Sequence, residues 1–116
     1  PNPKQESAGT AIIIGTLVSA DTGDPIARAQ VVVLVPSVKV KDWKRGKVGA
    51  EAIYTWVLTD SRGNFQLPDP VQRGVKYSIW LQAPGYEELY KDDKLLATED
   101  DPAIVDLGTI KMPAQV

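Results

Sequence analysis

The chain of 116 residues contains no cysteine and no histidine. Missing cysteine removes disulfides, thiolate nucleophiles and thiolate metal sites together. Missing histidine excludes more: there is no Ser-His-Asp triad, no imidazole base and no histidine-ligated zinc or iron. Aromatic residues are sparse at 7% of the chain, yet three of them are tryptophans, Trp43, Trp56 and Trp80. No apolar run approaches the roughly 20 residues that a helix needs to span a bilayer; residues 11–14 and 31–35 are strand-sized. Neither sign of charge dominates, with 13 basic against 15 acidic residues, so no nucleic acid is expected as a partner.

What remains is the composition of one globular domain, 43% hydrophobic and 24% charged. Residues 1–10 open on Pro1, Asn2 and Pro3 and read as an interdomain linker, which makes the chain an expected piece of a larger polypeptide. The domain proper is expected over residues 11–113, with 114–116 as a tail.

Strand signals run the length of that domain, and no segment carries a helical period. Residues 11–18 alternate around Gly15, where a glycine in a strand signals a bend or a close backbone approach. Asp21, Thr22, Gly23 and Pro25 make a turn, and residues 29–35 are β-branched on both faces, as in a strand covered on both sides. Residues 37–52 form a long connection. The strand at 53–59 puts Tyr54, Trp56 and Leu58 on one face and Ile53, Thr55 and Val57 on the other. Asp60 to Gly63 is a hairpin-type turn into residues 64–67. The strand at 76–83 sends Tyr77, Ile79 and Leu81 inward. A short strand at 86–90, an acidic segment at 91–102 and a closing strand at 103–112 complete an all-β pattern. It predicts a seven- or eight-stranded antiparallel β-sandwich.

The order Gly15, Asp21-Thr22-Gly23, Pro25-Ile26, Ala29 and Val31, then Thr59-Asp60, Gly63, Phe65 and Leu67, then Gly74 and Tyr77, Pro84-Gly85-Tyr86 and Asp106-Leu107-Gly108 resembles carboxypeptidase regulatory-like domains. The resemblance covers residue 12 to about residue 112 and implies a prealbumin-like (transthyretin-like) sandwich. It also implies a non-catalytic appendage to peptidases, nutrient receptors or surface proteins of bacteria, outside the cytoplasm or in the cell envelope. The matching residues read as skeleton. Gly23 and Gly63 fit left-handed turn positions, Asp21 and Asp60 fit turn caps, and Phe65 and Leu67 fit a core. Enzymes on related scaffolds, hydroxyisourate hydrolases and ring-cleaving dioxygenases, depend on histidines that this chain lacks.

No enzyme activity, cofactor or metal is therefore expected. Adjacent acids such as Asp92-Asp93 and Glu99-Asp100-Asp101 read as solvated, because burying them costs several kcal/mol each. In residues 38–47, Lys39, Lys41, Lys44, Arg45 and Lys47 against Asp42 leave a local +4 around Trp43. That loop either binds something or folds back, with Trp43 covering a sheet edge. In residues 87–101 seven acids against Lys91 and Lys94 leave −5. The two segments form opposed poles or neutralise each other within one molecule. The candidate binding surface is Trp43, Lys44, Arg45, Trp56 and Trp80. The expected role is docking to other domains of the same polypeptide or to a protein partner, with the isolated domain a monomer. The alternative is carbohydrate binding on exposed tryptophans.

Overall fold

A computed structural model describes residues 9–115. The strands are β1 (Thr10–Ser19), β2 (Gln30–Leu34), β3 (Ile53–Leu58), β4 (Asn64–Gln66), β5 (Val71–Gln72), β6 (Lys76–Gln82), β7 (Leu89–Leu96) and β8 (Ile104–Met112). A one-turn helix α1 (Val40–Lys44) and a 3₁₀ turn (Ala50–Ala52) lie between β2 and β3. The strands form a sandwich of two four-stranded sheets. In one sheet β4 and β5 pair antiparallel to β1, while β8 pairs parallel to it. The other sheet runs β3-β2-β6-β7 and is antiparallel throughout. The β1–β8 pair is the departure from the all-antiparallel pattern expected from the sequence. Short turns signal antiparallel neighbours, whereas β1 and β8 meet from opposite ends of the chain.

Strict alternation in β1 sends Ala11, Ile13 and Leu17 into the core between the sheets. From the other sheet come Val31 and Val33, then Tyr77, Ile79 and Leu81; Phe65 of β4 and Leu67 just after it add to the β1 side, and Ala29 is buried just before β2. Phe65, Leu67, Tyr77, Ile79 and Leu81 are the core positions expected from the sequence. Gly15 makes the close approach its place in the strand implies: a Cβ there would stand 2.7 Å from Cζ of Phe65, its cross-strand partner. Beside it β8 bulges, since Ile14 faces Asp106 while Thr16 faces Thr109.

Turn chemistry follows the sequence with one change. Asp60 Oδ1 accepts the N–H groups of Arg62 and Asn64, both at 2.9 Å. The expected cap at Asp21 is not made by its carboxylate. Ser19 Oγ accepts the N–H of Asp21 and Thr22 Oγ1 accepts that of Asp24, because Ser19 lies at the strand end, directly before the turn.

Thr10 is already in β1, and residues 1–8 of the expected linker lie outside the described residues. Of the expected tail, residue 116 lies outside the described residues, and the two before it contact the Tyr86 turn. Ala114 bridges Tyr86, and the Gln115 N–H donates to the Gly85 carbonyl at 3.0 Å. Residues 97–103, which cross from β7 to β8, are pinned by one side chain. The Arg73 guanidinium donates to the carbonyls of Thr10, Thr98, Asp101 and Pro102. One cation thus ties together four backbone acceptors of β1 and the crossing segment.

Gly63 (φ +78°) is the tightest turn position, and a Cβ there would meet the Leu17 carbonyl oxygen at 2.4 Å. Gly23 (φ +80°) has nothing within 4 Å of its Cβ position. Gly63→Ala is expected to cost about 2–4 kcal/mol from strain plus clash, and Gly23→Ala about 1 kcal/mol from strain alone. Urea denaturation checks the ranking, and equal losses at both sites would contradict it.

Candidate functional site

The outer face of the β3-β2-β6-β7 sheet carries every candidate residue. Val32 of β2 pairs with Trp56 on one side and Trp80 on the other, and Trp80 pairs with Tyr90. Trp56, Val32, Trp80 and Tyr90 thus form one row across four strands. Val32 and Leu34 point outward from a strand whose other face is already buried, so this side needs a cover. Helix α1 supplies it: Val40 is 1% exposed and packs on Val32 and Leu34, with Val38, Trp43, Ile53 and Trp80 around them. The long connection therefore contains the element that covers this face of the sheet. Five residues are too few to display a helical period.

The two tryptophans of this cover meet edge to face, with ring centroids 5.2 Å apart at 75°. Trp80 Nε1 donates to Glu88 Oε2 at 2.6 Å, and Lys44 Nζ pairs with Glu88 Oε1. At the other end of the helix the Val40 N–H donates to Asp92 Oδ1 at 2.8 Å, and Lys39 pairs with Asp93. Lys47 lies 3.8 Å from Asp42. The basic segment and the first half of the acidic segment therefore face each other within one molecule, and the second of the two arrangements expected from the charges is the one found. Among the described residues Lys41 and Arg45 are the cations of the segment left without an ion pair.

Asp92 and Asp93 reach the helix because β7 is longer than the strand expected at 86–90 and bulges. Ile79 faces Lys91, Tyr77 faces Leu95, and Asp93 takes φ 56° with its N–H on the Ser78 hydroxyl. A second bulge, between Val33 and Leu34, corrects the facing of β3. Ile53 turns to the helix side, while Tyr54 turns inward and stacks on Tyr77 at 5.3 Å. Trp56 points outward and is 55% exposed.

The candidate residues thus separate. Trp43 and Trp80 are joined as packing, Lys44 is tied to them through Glu88, and Arg45 and Trp56 face solvent at different parts of the face. Sequence reasoning missed Tyr90, 49% exposed beside Trp80. It also missed a cleft of about 770 Å3 between β7 and β8, floored by Ile79, Leu81, Leu95, Leu107 and Ile110 and rimmed by Lys91 and Lys94. Its signal was the inward alternation of β6 and β8 beside a strand of charges.

No protein-family model and no curated protein matches the chain. Solved structures do. The Bacillus anthracis TIE protein matches over 91% of this chain and 17% of its own, with TM-score 0.55 and 14% identity. Wild-type catechol 1,2-dioxygenase of Acinetobacter radioresistens matches over 97% of this chain and 54% of its own, with TM-score 0.57 and 17% identity. Catechol 1,2-dioxygenase of Pseudomonas arvilla matches at TM-score 0.52 and 12% identity. They share the sandwich. The chain spans about half the length of the dioxygenases and about a sixth of the TIE protein. The fold thus occurs in enzymes, but the groups that do chemistry are this chain's own. Among the described residues no three acidic side chains come together in a way that holds a metal ion. The hydroxyls of Tyr54 and Tyr77 are bonded to the backbone at Pro70 and Gln72.

Glu88 is held below the usual carboxylate range by the hydrogen bond from Lys44 and then by that from Trp80. A lowered value means that this contribution is complete above the ordinary carboxylate pKa and fades as pH falls through the lowered one. Tryptophan fluorescence is expected to report loosening of α1 in that acid window, at a cost of about 0–1 kcal/mol for so exposed a pair. Glu88→Gln should abolish the transition, and an unchanged transition would assign it to another group.

Proposed function

We propose that this domain is a non-catalytic accessory module of a larger extracytoplasmic bacterial protein, working through protein contacts on the α1 side of its outer sheet face. The observation that carries the reading is the use made of the two tryptophans. A sugar platform needs aromatic faces open to solvent, and Trp43 and Trp80 spend theirs on each other and on the helix. What they leave at the surface beside them is Tyr90, Lys41 and Arg45, an aromatic with two cations unpaired among the described residues. Tyrosine and arginine are the side chains that most often anchor protein interfaces.

Other features support the same reading. The carboxylates whose proton affinity is perturbed, Glu51 and Glu88, are both shifted toward the charged form, opposite to what a general acid requires. The motif skeleton supports a carboxypeptidase regulatory-like domain, and the extracytoplasmic placement rests on that resemblance. The TIE protein offers a parallel for a sandwich of this kind inside a much longer chain. The second reading, carbohydrate binding, is favoured by the exposure of Trp56 alone.

Hydrogen exchange compares the isolated domain with a longer polypeptide that carries its neighbouring segments. Slower exchange at residues 41–45 and 89–91 in the longer chain is expected. Arg45→Glu with Tyr90→Ala should remove that protection and leave the melting temperature of the isolated domain within a few degrees, about the size of a surface substitution. Equal exchange in both, together with a saturable fluorescence response to a soluble polysaccharide lost in Trp56→Ala, would replace docking with sugar binding.

A further inference from the structure

Each sheet edge of this sandwich is defended except one. On β7 the defence is Lys91, Asp92, Asp93 and Lys94 with a bulge; on β8 it is Asp106 and Lys111 with a bulge; β4 and β5 are three and two residues long. Charges, bulges and shortness are the devices that keep strand edges from pairing with other chains. The edge strand β3 reads Ile53-Tyr54-Thr55-Trp56-Val57-Leu58, with no charge, no proline and no glycine. Among the described residues it pairs only with β2, and its solvent face carries Trp56 and Leu58, both exposed large apolar side chains. Such an edge pairs readily with an added strand.

We infer that β3 pairs with β3 of a second copy of this chain, antiparallel and about a two-fold axis, joining two outer sheets into one. This departs from the monomer expected of the isolated domain. The occupant follows from the charges at the two ends of the strand. Glu51 precedes β3, and Asp69 lines the recess beside Tyr54 and Trp56 at the same end. At the other end stand Arg62, in the following turn, and Arg28, whose N–H donates to the Thr59 carbonyl. None of these four side chains has an ion-pair partner among the described residues. Asp60, also at that end, has one carboxylate oxygen engaged by the turn N–H groups of Arg62 and Asn64. Antiparallel pairing brings the acidic end of each β3 to the basic end of its mate, so the edge is complementary to itself.

The register follows as well. A two-fold axis normal to the sheet keeps each side chain on its own face, so outward residues oppose outward residues. With Trp56 on the axis, the two most exposed aromatics of the pair cover each other, Thr55 faces Val57 of the second copy, and Glu51 lies beside its Arg62. The row Trp56, Val32, Trp80, Tyr90 then runs unbroken through both molecules.

Sedimentation equilibrium on the whole chain at low salt, over about two decades of concentration, tests this. A monomer–dimer equilibrium that weakens with salt is expected. Trp56→Lys, which sets two ammonium groups on the axis, should be monomeric throughout, with an unchanged circular dichroism spectrum as the control for folding. Glu51→Arg should weaken the dimer about threefold to tenfold, and adding Arg62→Glu to it should restore most of the loss. Dimer formation should also slow hydrogen exchange at residues 53–58. A wild type that stays monomeric, or a dimer that survives Trp56→Lys, overturns the inference and leaves the proposed α1-side contacts untouched.

Discussion

The strand Val31-Val32-Val33-Leu34 has nothing but apolar side chains, and a strand has two faces. One face is covered by packing the two sheets together; the other has to be covered by something outside the sandwich. Much of what distinguishes this domain descends from that demand. Helix α1 exists to place Val40 on Val32 and Leu34, and it is too short to hold itself in place. Its fastening comes from β7 and the residue just before it: Glu88 holds Lys44, while Asp92 and Asp93 in the strand hold the Val40 N–H and Lys39 at the helix start. The β7 bulge gives Asp92 and Asp93 their reach, and the charged edge it produces is a by-product of fastening the helix.

The sandwich was legible in the sequence because its signals are local. Gly23, Gly63 and Asp60 mark turns by their own backbone chemistry, and Tyr77, Ile79 and Leu81 mark a strand by simple alternation. What escaped were the places where one extra residue changes the facing of the next. Tyr54 reads as a neighbour of Trp56 until the bulge opposite Val33 and Leu34 sends it to the core and brings Ile53 out in its stead. Nothing in residues 53–58 announces this, since the cause lies in the pairing with another strand. The β1–β8 pairing escaped for a similar reason.

The candidate surface was legible as a set of residues and not as an arrangement. Trp43, Lys44 and Trp80 were singled out as side chains able to bind, and they do bind, but to one another and to Glu88. A tryptophan among lysines looks the same in sequence whether it faces a ligand or a sheet, because both uses need an apolar body and a polar rim. Arg45 and Trp56 stand exposed, apart from that cluster. The likeness to catechol dioxygenases is one of fold alone, and a shared scaffold leaves the work of each protein to its own side chains.

The parallel pairing of β1 with β8 also settles how the domain carries load. Two parallel neighbours point the same way, so the start of β1 and the end of β8 lie at opposite ends of the sheet. Tension applied between residues 9 and 115 runs along both strands and loads their shared hydrogen bonds side by side. An antiparallel pair pulled from its two neighbouring ends would instead open one bond at a time. Here the paired residues from Ile12 to Ser19 have to give way together, with the Arg73 clamp at one end and the Tyr86–Ala114 bridge at the other. Set in line within a longer chain, such a domain transmits force without lengthening.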